Sequence, residues 1–101
     1  MIRGTTPTHS FELEPAIDPA LIKKIKVIYA QNDNVIFVKA KDACTFEGNV
    51  VKVHLSQEDT LKFDCKTNVQ IQVAIKTIDG EVHKSGIVTA HVYKCLGNEV
   101  I

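Results

Sequence analysis

Tryptophan is absent from this chain, and the six aromatic residues (Phe11, Tyr29, Phe37, Phe46, Phe63 and Tyr93) make up 6% of it. Alternation places most of them inward. Tyr93-Lys94 alone pairs an outward ring with a neighbouring cation, too little for the stacking platform on which single-stranded nucleic acid is bound. Neither sign of charge is in excess: twelve Lys and Arg balance twelve Asp and Glu. That balance disfavours the electrostatic footprint of a nucleic-acid binder and that of a polybasic membrane-surface protein. No apolar run approaches the roughly 20 residues needed to span a bilayer as a helix. The opening MIRGTTPTHSF has one Arg and no apolar run, so it fits neither a signal peptide nor an anchor. The three cysteines (Cys44, Cys65 and Cys95) are widely spaced and odd in number. They are expected as reduced thiols in a cytoplasm.

What the chain has in quantity is alternation. The 45% hydrophobic content suits one globular domain of 101 residues, with no room for a second core. The clearest stretch is 68–93, NVQIQVAIKTIDGEVHKSGIVTAHVY. Val69, Ile71, Val73 and Ile75 sit two apart with Gln70, Gln72 and Lys76 around them, the period of a half-buried strand. Asp79-Gly80 predicts a two-residue hairpin turn, which would set His83 opposite Lys76. The return run 87–93 places Val88, Ala90 and Val92 inward and Thr89, His91 and Tyr93 outward.

Ahead of that hairpin, residues 1–7 carry Gly4 and Pro7 and are expected as a flexible arm. THSFEL (8–13) predicts a short strand with Phe11 and Leu13 inward, stopped by Pro15. In 16–22, Asp18-Pro19 predicts one capped helical turn. KKIKVIYAQ (23–31) predicts a strand with Ile25, Val27 and Tyr29 inward and Lys24 and Lys26 outward. Asn32-Asp33-Asn34 is its turn. VIFVKA (35–40), apolar almost throughout, predicts a central strand covered on both faces. A short segment at 44–46, a turn at Gly48-Asn49 and an alternating run over 50–55 follow. Ser56 with Glu58 and Asp59 predicts a capped helical turn. Leu61 and Phe63 then stand at strand spacing, and 97–101 is a tail. About seven short strands with turn chemistry between them predict an all-β fold, a small antiparallel immunoglobulin-like β-sandwich over 8–96. A small β-barrel is the second choice.

Reactive constellations are sparse. His9, His54, His83 and His91 form no HxH or HxxxH pair and the cysteines no CxxC, so neither metal nor any other cofactor is expected. The histidines read as solvent-side strand residues. No base is placed beside a cysteine to make a nucleophile. DxDxDG, GxGxxG and GxxxxGK[ST] are missing, which removes calcium loops and nucleotide cradles. The expectation is no catalytic, cofactor-binding or metal-binding residue. What remains is contact surface: Gln70, Gln72, Thr89, His91 and Tyr93 on the outer face of the long hairpin, extended by Arg3, Thr5 and Thr6 of the arm.

RGTTPTHSF, KVIYAQ, LSQEDTLKF and VQIQVAIKT-DG resemble a family of short proteins encoded in prophages and phage-like elements of Firmicutes. The resemblance runs from Arg3 to Cys95, marks 3–7 and 56–63, and carries over no catalytic or ligand residue. It implies a phage structural or tail-associated role. The protein would be made in the bacterial cytoplasm and destined for the virion, with partners that are copies of itself or other phage structural proteins. The alternatives are a monomeric binding module that captures a host protein and a small metal-dependent enzyme. No nucleic acid and no membrane is expected among the partners.

Overall fold

The computed structural model describes residues 1–13, 17–97 and 99–101. Eight strands and one short helix follow in the order β1 (Thr8–Glu12), β2 (Ile22–Gln31), β3 (Asn34–Lys39), β4 (Cys44–Glu47), β5 (Val50–His54), α1 (Gln57–Leu61), β6 (Val69–Thr77), β7 (Val82–Lys84) and β8 (Val88–Ala90). They form two antiparallel sheets. One has the order β1-β5-β4, the other β3-β2-β6-β7, with β8 also paired to β6. The inward rows of both sheets merge in a single core that includes Val51 and Val53 from one side and Val27, Tyr29, Val69, Ile71 and Val73 from the other. This is an all-β sandwich. An immunoglobulin constant domain pairs A-B-E-D against C-F-G; here the second strand joins the third, sixth and seventh. The stop expected at Pro15 and the start of the 16–22 turn lie outside the described residues, as does Asn98 of the tail. The turn itself is a single 3-10 turn at Pro19–Leu21, capped by Asp18.

Two small departures in the long hairpin cancel. The loop holds three residues, Ile78, Asp79 and Gly80, because Thr77 and Glu81 close it: Thr77 N donates to Glu81 O at 2.9 Å, and Gly80 N to Thr77 O at 3.1 Å. Gly80 takes φ +91°, which side-chain-bearing residues rarely adopt. The longer loop shifts β7 by one residue, so His83 lies opposite Ile75 and Lys76 opposite Val82. The expected pairing of His83 with Lys76 is therefore corrected, and His83 turns toward the inner side. Past Lys84 a bulge adds one residue: Ser85 N reaches Val73 O, while the Ser85 hydroxyl accepts from Val73 N at 2.9 Å. Beyond it, Ile71 pairs with Val88 and Gln70 with Thr89, so the register comes back into step, although Val88, expected inward, is 53% exposed at this end of the sheet. The same bulge splits the return strand into β7 and β8.

Three other expectations change. Residues 35–40 do not make a central strand: β3 is the edge of its sheet, with Val35 60% and Val38 43% exposed. Its apolar character is shared between Phe37, which packs inward, and an outer row that nothing in the described chain covers. Leu61 closes α1 and is not a strand residue; it and buried Phe63 sit two apart because the chain turns after Lys62, whose N–H bonds Asp59 O and Thr60 O. Finally, residues 1–7 are docked. Tyr93 N donates to Met1 O at 2.7 Å and Arg3 N to Tyr93 O at 3.1 Å, a parallel bridge, and Gly4 N donates to the buried Thr60 hydroxyl at 2.9 Å. Leu55 N bonds Pro7 O at 2.9 Å. A polar segment with so many backbone groups facing fixed partners gains more from those bonds than from remaining in solvent.

Phe63 is fully buried against Tyr29 and Phe37, with ring centroids 6.0 Å and 5.3 Å away. Truncating it empties the place where α1 meets the five-stranded sheet. Phe63→Ala is expected to lower unfolding stability by about 3–5 kcal/mol in urea titration, whereas exposed Ser10→Ala stays within about 0.5 kcal/mol.

Candidate contact surface

The strands of the five-stranded sheet contain no Asp or Glu at all. Their inner rows are core, so polarity and charge concentrate on the outer face. Lys24, Lys26, Gln70, Gln72, Lys76, Val82, Lys84 and Thr89 follow that face by alternation. Register sets Lys24 beside Lys76, and Lys26 and Lys84 on either side of Ala74. No ion pair among the described residues neutralises these four lysines. Like charges on neighbouring strands repel rather than stabilise the sheet.

The other end of the same face is apolar. Ile28, Val35 and Ile87, the last 59% exposed, line a shallow depression of about 230 Å³ together with Gln70 and Gln72. Val38 stands opposite Ile28. Gln70 is held in place: its amide donates to Asp33 Oδ1 and its oxygen accepts from Asp33 N, both at 2.9 Å. It thereby secures the β2–β3 turn, where Asn32 and Asp33 take φ of +51° and +63°. Gln72 donates to Ser85 O at 2.9 Å and secures the bulge.

The eight surface residues singled out by sequence divide into two groups. Gln70, Gln72 and Thr89 do share the outer face. His91 and Tyr93 lie past the end of β8, ring edge to ring face at 4.5 Å, beside the docked amino terminus, whose charged nitrogen donates to His91 O at 2.9 Å. Arg3 and Thr5 serve the docking of their own segment: the guanidinium donates to Leu61 O at 2.7 Å, and the Thr5 hydroxyl to Ile2 O at 2.6 Å. Thr6 is exposed. The lysine quartet and the exposed Val35, Val38 and Ile87 are residues that sequence reasoning left out. The signal for them was present as acid-free strands, and it becomes legible once register brings the lysines together.

The histidines and cysteines do not converge: no group of three or more His, Cys, Asp or Glu fit to hold a metal occurs among the described residues. The solvent-side reading fails for His9; His83 turns to the inner side in register, but its side chain stays 37% exposed and its Nε2 lies 3.2 Å from Glu81 Oε2. His9 points inward and its Nδ1 lies 2.8 Å from the hydroxyl of fully buried Tyr29. Burial raises the Tyr29 pKa, with Cys44 and Asp59 adding to the effect, so the phenol stays protonated and donates. Burial lowers the His9 pKa, helped by the positive amino terminus, so the ring accepts in its neutral form. Burial also raises the Cys44 thiol, with Asp42 adding, which works against thiolate formation there. Asp59 of α1 is buried beside Lys39, the last residue of β3; burial alone would raise its pKa, yet bonds from Lys39 (2.8 Å) and Ser56 outweigh that and hold it low.

Comparison with protein-family models, with characterised proteins and with solved structures finds no match to this chain at any of the three levels.

His9 sets a pH dependence. The unfolded chain binds a proton at the ordinary histidine value of 6.5, whereas the folded chain resists it. Stability is therefore fully present above that value and is lost as pH falls from it toward the depressed folded value. The urea midpoint is expected to fall between about pH 7.5 and about pH 5, and His9→Gln should flatten that slope. An unchanged slope in the variant would place the titrating group elsewhere.

Proposed function

We propose that this protein is a non-enzymatic accessory protein of phage assembly, acting through protein–protein contacts made by the outer face of its five-stranded sheet. The observation that carries this reading is the exposed row of Val35, Val38 and Ile87 on a sheet without a single acidic strand residue. A flat apolar surface of this kind costs free energy in water unless a partner covers it. Gln70 and Gln72 tie the surrounding turn and bulge to the sheet, so the face is held rigid before any partner arrives. A rigid face loses little entropy on binding. The phage setting draws on the resemblance of RGTTPTHSF, LSQEDTLKF and VQIQVAIKT to short prophage-encoded proteins. The protein would be made in the bacterial cytoplasm and assemble with copies of itself or with other structural proteins of the virion or tail.

Sedimentation velocity over a range of protein concentrations tests the reading. The wild-type chain is expected to self-associate. Joint replacement Val35→Ser and Val38→Ser should weaken association about tenfold or more, while Ser10→Ala on the opposite sheet leaves it unchanged. Equal association by all three would remove the outer face from the account. A wild-type monomer at every concentration would remove self-assembly.

A further inference from the structure

The lysine end of the face borders a second charged surface, one register step beyond the Lys76–Val82 pair. At the β6–β7 turn, Asp79 and Glu81 stand beside Asp18, around a recess of about 400 Å³ that also includes Leu21 and Ile78. These two apolar side chains are 47% and 63% exposed. The turn is firmly built: Ile78 N donates to Leu21 O at 2.9 Å, and the Thr77 hydroxyl hydrogen-bonds the Asp79 carboxylate. One surface is thus apolar and basic without acids in its strands, and another is apolar and acidic.

We infer that the two are halves of one contact, in which the acidic β6–β7 tip of one copy docks on the Lys24, Lys26, Lys76 and Lys84 face of the next. This rests on the assembly reading above and names the occupant of its surface as a second copy of the chain. Charge complementarity supplies the choice of partner. Four lysines with no described ion pair repel one another on an isolated sheet, and carboxylates brought among them relieve that repulsion. Leu21 and Ile78 accompany the carboxylates and remove apolar surface from water at the same contact. The contact pairs a tip with a face, so it closes either as a reciprocal two-fold dimer, each tip on the other copy's face, or head-to-tail as a ring or filament.

Charge reversal tests it. Replacing all four lysines together (Lys24→Glu, Lys26→Glu, Lys76→Glu and Lys84→Glu) makes the face acidic, and Asp79→Lys with Glu81→Lys makes the tip basic. Each variant alone is expected to associate about tenfold or more weakly than wild type at low salt. An equimolar mixture of the two should recover assembly, because every tip then meets a face of opposite charge. Light scattering reads all three samples, with circular dichroism to check that each variant is folded. If wild type assembles and the reversals change nothing, this contact is wrong and the assembly reading stands. If each reversal weakens assembly but the mixture does not recover it, tip and face are not partners. If wild type stays monomeric at low salt, the assembly reading fails and this inference with it.

Discussion

Tyr29 buries its whole ring between the sheets, and its hydroxyl finds a partner across the gap on His9 of β1. A buried phenol without such a partner would cost a few kcal/mol, so the position of β1 against β2 is tied to this bond. The ring also organises its surroundings. Phe37 stacks on it at 4.9 Å and Phe63 leans against both, which brings in β3 and the end of α1. Lys39 and Lys62 then lie over the Phe37 ring at 5.4 and 5.6 Å, and Lys39 reaches Asp59. One buried side chain thus connects both sheets, the edge strand and the helix. The helix in turn holds residues 1–7 through Thr60, Leu61 and Gln57.

Much of this was legible in the residues. Ile25, Val27 and Tyr29 on β2, and Val69 to Ile75 on β6, read inward from alternation and are inward. The Ser56–Asp59 capping box follows from residue chemistry alone: each side chain bonds the other's backbone N–H. What failed did so for reasons that alternation does not carry. Register depends on whether a loop has two residues or three, and Asp79-Gly80 fits both. With Thr77 closing the loop the longer form wins, and a Ser85 bulge restores the shift. The two errors cancel for Gln70 and Thr89, but not for His83.

The contact surface shows the same division. Alternation gives faces and not neighbours. Lys24 and Lys26 were visibly outward, yet that they meet Lys76 and Lys84 depends on strand order. The apolar run 35–40 admits either a covered central strand or an edge strand with an uncovered face, and the strand order selects the second. The amino-terminal segment misleads in the opposite direction. Its Gly, Thr and Pro content suggests a free arm, whereas its backbone groups pair with 91–93 and with α1. The proposed contact lies on the outer face of the five-stranded sheet, whose strands carry no acidic residue.

The central claim is that the outer face of that sheet meets other protein molecules. Backbone amide chemical shifts followed by NMR as the protein is concentrated test it most directly. The account predicts progressive shifts or broadening at Lys26, Val38, Gln72, Ala74 and Lys84, with Ser10 and Lys52 on the other sheet unchanged. Shifts confined to the three-stranded sheet, or spectra that do not depend on concentration, would contradict it.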